Sequence, residues 1–211
     1  MTHIITIAGA SASGKTTLAT QLQVWLDTHY KSQVCEIIAQ DSYYHDLSHL
    51  EFEERAAVNF DHPNSLDHQF LYQQLSELKN GHAVKVPNYC YKTHQRTEEL
   101  KTTHPLPFVI VEGIHTNFDQ QIVDLCDYRI FVKTDLDICL ARRIHRDIHE
   151  RGRTVDSVIN QYVTTVKPMY EKYAAPKESV ADIVIDGSIS INEMREQAIS
   201  HPKFQKLIKQ T

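Results

Sequence analysis

The stretch IITIAGASASGKTT, residues 4–17, decides the fold of this chain. A short apolar run, residues 4–8, precedes two glycines five positions apart, Gly9 and Gly14, and a lysine and two threonines follow directly. Glycine permits backbone angles that turn successive N–H groups toward one point, which makes a binding site for an anion. A helix that begins there adds free N–H groups and the positive end of its dipole. The stretch therefore predicts a strand, a phosphate-binding loop and a helix in succession.

The spacing G-x-x-x-x-G-K-[ST] is that of the P-loop, which binds the phosphates of a nucleoside triphosphate. Lys15 can reach the β- and γ-phosphates, and the Thr16 hydroxyl can bind Mg²⁺. We therefore expect ATP or GTP to bind here together with Mg²⁺. The predicted nucleotide-binding residues are Gly9, Ala10, Ser11, Ala12, Ser13, Gly14, Lys15, Thr16 and Thr17.

Composition narrows the class of protein. The 211 residues, 41% of them hydrophobic, suffice for one domain over residues 1–211. A net charge of −5 argues against a nucleic-acid partner. No apolar run approaches the ~20 residues that span a bilayer, and no signal peptide is recognisable. Four scattered cysteines are typical of a reduced, cytoplasmic protein.

Apolar runs alternate with helical patterns along the chain, which predicts an α/β fold with a parallel sheet and right-handed crossovers. We expect a helix that ends near residue 57, with Ser48 and Glu51 as its capping box, and a second helix capped by Ser65 that stops at residues 80–81. The predicted strands are 4–8, 34–39, 108–111, 128–132 and 183–185, and the other predicted helices are 15–29, 119–126, one from 135, 155–173 and 191–209.

Carboxylates follow two of the predicted strands directly, where ligands of an open α/β sheet bind. Asp41 is either a reacting group or a helix cap or turn residue. Glu112 matches the Mg²⁺-orienting acid of P-loop enzymes, and the P-loop in the same chain favours this role over a capping role. Asp61 lies in a turn-rich loop and, taken alone, would be interpreted as a turn residue.

A small antiparallel hairpin is predicted over about residues 84–103. Its aromatic side chains, Tyr89, Tyr91 and His94, would suit a flat ring, although ordinary strand aromatics give the same pattern.

Arginines cluster on the predicted helix from residue 135. Guanidinium groups suit bidentate contact with phosphate, so the cluster favours a lid that closes over the nucleotide. Asp147 and Glu150 among them support the alternative of a solvated, salt-bridged face. Arg143 and Arg146 share one face of the helix, which Gly152 is expected to break. The five arginines are Arg142, Arg143, Arg146, Arg151 and Arg153.

Taken together, the motifs resemble those of the uridine–cytidine kinases, most closely the bacterial type. They are GASASGKTT, QDSYY, NFDHP, PNYCYKTHQR, VEGI and RRIHRDIHERGR with the following Gln161-Tyr162, and their order matches over about residues 4–186. The resemblance implies a P-loop kinase with a five-stranded parallel core, an inserted nucleoside-binding hairpin (82–104) and an arginine lid (142–155). It implies transfer of the γ-phosphate of ATP or GTP to the 5′-hydroxyl of uridine or cytidine, and it suggests a homotetramer.

The resemblance also assigns roles to individual residues. Asp41 corresponds to the carboxylate that accepts the proton of the 5′-hydroxyl, and Glu112 to the acid near Mg²⁺. Lys15, Arg146 and Arg151 correspond to groups that contact the transferring phosphate. The nucleoside-binding positions are Tyr44 and Phe60 beside the nucleoside, Asp61 and Arg143 at the ribose, Tyr89 and His94 at the pyrimidine edge, Tyr91 as a stacking aromatic, and Arg153 and Gln161 at the pyrimidine.

One segment departs from the family. A Pro-Arg-Gly type stretch commonly borders the donor base after the last strand, whereas this chain has Asp186-Gly187-Ser188-Ile189-Ser190. The choice between ATP and GTP is therefore open.

Two alternatives to a uridine–cytidine kinase remain. One is a related kinase for another acceptor, such as phosphoribulokinase or pantothenate kinase, and the other is a nucleotide-binding regulator with little turnover. A GTPase switch is disfavoured because the chain has no Asn-Lys-x-Asp motif.

Overall fold

A five-stranded parallel sheet forms the centre of the computed structural model, which describes residues 2–211. The strand order is β2-β5-β1-β6-β7, and β3 pairs with β4 in a separate antiparallel hairpin. This confirms the predicted five-stranded parallel sheet. The strands are β1 (His3–Gly9), β2 (Cys35–Ala39), β3 (Val84–Cys90), β4 (Gln95–Thr103), β5 (Phe108–Glu112), β6 (Tyr128–Lys133) and β7 (Ile183–Asp186).

Helices cover both faces of the sheet. A π-helical turn spans residues 162–166 and another spans 170–174, and 3₁₀ turns lie at 40–43, 63–65 and 175–180. The helices are α1 (Lys15–Tyr30), α2 (Phe52–Ala56), α3 (His68–Lys79), α4 (Gln120–Leu125), α5 (Leu136–Arg151), α6 (Val155–Gln161), α7 (Lys167–Met169), α8 (Ile191–Ser200) and α9 (Pro202–Lys209).

The core lies on the two sides of the sheet. On one side, alternate residues of β1 and β5, such as Ile5 and Ile110, pack with Leu18 and Leu22 of α1. On the other side, Val109 and Val111 of β5 pack with Leu71, Leu75 and Leu78 of α3. The central strands read as continuous apolar runs because both of their faces are covered.

Strand register brings the important loops to one edge of the sheet. Ile7 of β1 and Ala39 of β2 both pair with Glu112 of β5. The P-loop, the turn that carries Asp41 and the end of β5 therefore leave the sheet at the same level.

The structure corrects several helix boundaries. Glu51 and Glu54, not Ser48 and Glu51, form the capping box of α2, and Asp67, not Ser65, caps α3 by accepting from the Phe70 amide. The Ser65 hydroxyl instead donates to the Phe60 and His62 carbonyls.

Two predicted continuous helices are interrupted. The last one is two helices, because His201 precedes Pro202 and adopts an extended conformation, as residues before proline commonly do. The one predicted over 155–173 leaves α-helical geometry at Tyr162, six residues before Pro168.

No helix within residues 2–211 combines the length and apolar character that crossing a membrane requires. The four cysteines, Cys35, Cys90, Cys126 and Cys139, are free thiols.

Candidate active site

The P-loop has positive φ angles at both of its glycines, Gly9 and Gly14, as the sequence motif predicts. Gly9 has φ +153°, and a Cβ at this position would lie 2.5 Å from the Val132 carbonyl oxygen. Ala12 and Gly14 both have positive φ, and the Ser13 amide donates to the Ala10 carbonyl (3.1 Å). Helix α1 begins immediately afterwards, at Lys15. The loop thus places a helix N-terminus directly after a turn with positive φ angles, an arrangement suited to phosphate.

Lys15, Thr16 and Glu112 meet below this loop. Burial raises the pKa of Glu112, while the Lys15 charge and the Thr16 hydroxyl act in the opposite direction. The oxygens of Thr16 and Glu112 are ligands of the kind that Mg²⁺ prefers. Within residues 2–211, no group of three or more His, Cys, Asp or Glu side chains could hold a metal ion. The Thr16 and Glu112 oxygens therefore fit a Mg²⁺ ion that takes its remaining ligands from water and phosphate.

A cleft of about 400 Å³ extends from the P-loop along α8. One wall is apolar and comes from the segment that departs from the family pattern and from α8. Asp186 is not in this wall, because its carboxylate accepts from the Ser188 amide (2.8 Å) on the exposed side. The cleft lining is Ala12, Gly14, Lys15, Thr16, Thr17, Arg142, Arg146, Gly187, Ile189, Ile191 and Met194.

Asp41 lies on the 3₁₀ turn directly after β2 and is hydrogen-bonded in this structure. The Tyr91 hydroxyl donates to its Oδ2 atom (2.8 Å), and the guanidinium of Arg151 lies 4.3 Å from the centre of the Tyr91 ring. Burial and the nearby Asp41 raise the pKa of Tyr91, so its hydroxyl remains a donor. The sequence predicted a stacking role for Tyr91 but not this hydrogen bond.

Aromatic side chains line the space beyond Asp41. The centre of the Tyr44 ring is 5.1 Å from that of Phe60 and 5.0 Å from that of Tyr89. His94 stands at the hairpin tip with positive φ and stacks on Phe60 at 5.3 Å and 14°. Burial lowers the pKa of His94, so the ring is neutral near pH 7. Segments predicted separately therefore form one aromatic cluster, which also includes Leu66.

Asp61 points from the 59–62 loop toward the first π-helical turn. Its Oδ2 atom accepts from the Thr165 hydroxyl (3.1 Å), and its backbone carbonyl accepts from Nε2 of the buried His115 (2.8 Å). Burial raises the pKa of the Asp61 carboxyl, and the Arg143 guanidinium opposes the rise. Hydrogen bonds from Thr165 and His115 therefore hold Asp61 in place as an acceptor, and its role goes beyond that of a turn residue.

The arginine cluster is not a solvated face. Asp147 is 0% exposed and lies within 3.6 Å of guanidinium nitrogens from Arg143, Arg146, Arg151 and Arg153. Gly152 ends α5 with φ +65°, as predicted, which lets the arginines on either side of it face Asp147. Arg142 is separate from this group and donates to the Gly187 carbonyl (3.0 Å) at the cleft.

Arg143 joins the arginine cluster to the P-loop and to α6. Its Nη1 atom donates to the Ser11 hydroxyl (2.7 Å) and its Nη2 atom to Oε1 of Gln161 (2.9 Å). Arg153 donates to the same Gln161 oxygen. The predicted acceptor-side residues Arg143, Arg153 and Gln161 are thus one hydrogen-bonded group.

Sequence reasoning missed several residues of this site. Asp147 was given no role in the site and only supported the alternative of a solvated, salt-bridged face, although its arginine neighbours at i−4, i+4 and i+6 were an available signal. Thr165 faces Asp61 from a π-helical turn, for which no motif in the sequence gave warning. Ile191 and Met194 were placed on the final helix without a role in the cleft.

Comparison with known proteins agrees with this geometry. The model of the phosphoribulokinase/uridine kinase family matches residues 4–193. A uridine kinase from Haemophilus influenzae (strain PittGG) is 48% identical over 200 residues, or 93% of this chain and 94% of the relative. A uridine kinase from Proteus mirabilis (strain HI4320) is 47% identical over 182 residues, or 86% of this chain and 85% of the relative.

Among solved structures, a proposed fructose transport system kinase from Silicibacter sp. TM1040 has a TM-score of 0.71 to this chain. It covers 86% of this chain and 88% of its own length at 19% identity, so this likeness concerns the fold alone. The family match spans most of the chain, and both curated relatives exceed 45% identity. This chain is a member of the phosphoribulokinase/uridine kinase family.

Proposed function

We propose that the protein is a uridine/cytidine kinase, which transfers the γ-phosphate of ATP or GTP to the 5′-hydroxyl of uridine or cytidine to give UMP or CMP. The observation that carries this proposal is the common edge of the sheet, where the P-loop, Asp41 and the aromatic cluster meet. The names of the curated relatives support the same activity.

Phosphoryl transfer depends mainly on alignment and charge neutralisation, with little covalent work by the protein. In our proposal, the P-loop amides and Lys15 hold the donor phosphates. Mg²⁺, when bound beside Thr16 and Glu112, supplies further charge neutralisation of the phosphate oxygens. Arg146 and Arg151 then contact the transferring phosphoryl group from the opposite side.

Asp41 orients the acceptor hydroxyl and takes its proton. A carboxylate is a weak base toward an alcohol, so the proton transfer is expected late in the reaction, when the hydroxyl has become acidic. The Tyr91 hydroxyl donates to one oxygen of Asp41. The other carboxylate oxygen is then the acceptor for the nucleoside.

Recognition of the nucleoside is divided between two groups. Asp61 accepts hydrogen bonds from the ribose hydroxyls, and an acceptor without them would leave this buried carboxylate with the Thr165 hydroxyl as its side-chain donor and its other lone pairs unused. The rings of Tyr44, Phe60, Tyr89 and His94 offer flat apolar surface to the pyrimidine. This division explains how the site would reject a free base.

An acceptor-by-donor panel tests the proposal. Release of ADP or GDP would be measured with uridine, cytidine, adenosine, ribulose 5-phosphate and pantothenate, each with ATP and with GTP. We expect turnover with uridine and cytidine. The Lys15→Ala variant is the control for a contaminating kinase. Turnover confined to ribulose 5-phosphate or pantothenate would show that the protein is a related kinase for that acceptor. No turnover with any acceptor would favour a nucleotide-binding regulator.

We further propose that the enzyme requires Mg²⁺, acts in the cytoplasm in pyrimidine salvage and assembles as a homotetramer. The resemblance to uridine–cytidine kinases supports each of these points. Light scattering on the purified protein tests the assembly, and a titration with EDTA tests the metal requirement.

A further inference from the structure

Asp147 stands at the centre of the arginine cluster with no solvent exposure. Four guanidinium groups lie within 3.6 Å of this single carboxylate, so Asp147 is the acid that all four share. Burying a charge is costly unless it is paired, and here the pairing is fourfold. Such a group requires an explanation beyond the surface ion pairs typical of helices.

The two carboxylate oxygens serve different arginines. Oδ1 lies 2.8 Å from Nη2 of Arg146 and 3.5 Å from Nη1 of Arg151. Oδ2 lies 3.6 Å from Nε of Arg143 and 3.5 Å from Nη1 of Arg153. The first pair is assigned to the donor phosphate and the second pair to the nucleoside.

Backbone contacts fix the same turn. The Asp147 carbonyl accepts from the amide of Gly152, which caps α5, and from the amide of Arg153 (3.1 Å). The carbonyl and the carboxylate of one residue therefore define where the chain reverses and where the arginines on each side of Gly152 point.

We propose that Asp147 is a positioning residue that couples the two substrate sites. It holds one arginine pair for each substrate at a single point, so a substrate that orders its own pair also fixes the carboxylate and, with it, the other pair. This inference rests on the proposed function for the identity of the two substrates. The coupling it describes is reciprocal, as linkage requires.

The consequence is a mutual increase in affinity. Binding of Mg·ATP should raise the affinity for uridine, and uridine should raise the affinity for Mg·ATP by the same factor, at least about fivefold. Without Asp147, the buried Arg143 and the partly buried Arg146, Arg151 and Arg153 would repel one another, and neither pair would be held in position.

Calorimetric titration of uridine with and without a saturating non-hydrolysable Mg·ATP analogue tests the proposal. The Asp147→Asn variant keeps the side-chain volume and removes the charge, and Glu150→Gln, on an exposed residue of the same helix, is the matched control. We expect the wild type and Glu150→Gln to show the coupling and Asp147→Asn to lose it. We also expect kcat of Asp147→Asn to fall by about 100-fold or more.

A merely structural role would lower the active fraction and leave the coupling factor of the remaining protein unchanged, which would overturn the proposal. Absence of coupling in the wild type would overturn it too. Should Asp147→Asn not fold, a cycle of Arg146→Ala, Arg153→Ala and the double variant replaces it. Additive losses in kcat/KM would then contradict coupling through a shared carboxylate. Failure of uridine to bind the wild type at all would instead refute the proposed function.

Discussion

Replacing Gly187 with alanine should loosen the donor cleft and lower the stability of the whole domain. Gly187 follows β7, and a Cβ built there would lie 2.1 Å from the Thr134 hydroxyl and 2.4 Å from the Ser13 carbonyl oxygen. Real Cβ atoms essentially never approach heavy atoms this closely. The loop must move, although its backbone is held by the Lys133 carbonyl (2.7 Å) and by Arg142.

The stability cost of Gly187→Ala depends on whether the atoms that the new Cβ would meet can move away. The Ser13 oxygen belongs to the P-loop backbone, and the buried Thr134 hydroxyl donates to that same oxygen (2.9 Å), so neither atom can withdraw without breaking a hydrogen bond. Overpacking of this kind costs typically 1–3 kcal/mol, and we expect about 2–3 kcal/mol here. For a domain of this size the melting temperature should then fall by about 4–12 °C.

Thermal unfolding monitored by circular dichroism measures the loss of stability. Calorimetric titration with Mg·ATP measures the loss of affinity for the donor. We expect affinity for Mg·ATP to fall by about tenfold or 1.4 kcal/mol, because the shifted loop carries Ile189 of the cleft wall. Affinity for uridine should be unchanged.

Gly81→Ala is the matched control. Its Cβ would meet nothing within 4 Å, so only the cost of a left-handed φ (+86°), about 1–2 kcal/mol, applies, and the donor site is spared. A Gly187→Ala protein with wild-type melting temperature and wild-type affinity for Mg·ATP would refute this account of the loop.

The other predictions concern single side chains. Asp41→Asn should keep affinity for Mg·ATP while kcat falls at least about 100-fold, since the amide cannot take a proton; a near-normal rate would remove Asp41 from the base role. His94→Ala, which removes the ring stacked on Phe60, should raise KM for uridine by about tenfold and leave KM for the donor unchanged; equal losses for both substrates would contradict this placement. Burial lowers the pKa of His115 from 6.5 to about 4. Unfolded His115 therefore takes up a proton first as the pH falls, and the folded state loses about 2 kcal/mol between pH 7 and pH 5 from this group. His115→Gln should flatten urea-unfolding stability over that range by about this amount, and an unchanged slope would show that His115 is not buried in neutral form.

The sheet and the P-loop were predictable because local patterns encode them. A continuous apolar run such as β5 can only be buried on both faces, and the glycines at positions 9 and 14 stand where the backbone has positive φ. The helix caps were predicted less well. Ser48 and Ser65 are residue types that commonly cap helices, but α2 and α3 each begin a few residues later and are capped by Glu51 and Asp67.

The residues that the structure brings together at the candidate site could be picked out from the sequence where each one belongs to a motif. The position of Asp147 was not, since its burial depends on the reversal at Gly152 and on packing against the P-loop, which Arg143 contacts through Ser11, 132 positions away. An acid among arginines on a helix gives the same sequence pattern whether it faces solvent or the interior. Only the tertiary fold separates these cases.

The hairpin built by β3 and β4 shows how acceptor choice could diverge within such a family. Its base, Val84 and Val86, belongs to the hydrophobic core, whereas its tip contributes Tyr89 to a small cluster that shares no member with the two core clusters. Substitutions at the tip therefore leave the packing beneath the sheet intact. Evolution can replace the surface that we propose reads the acceptor while the folding of the domain and the P-loop stay as they are.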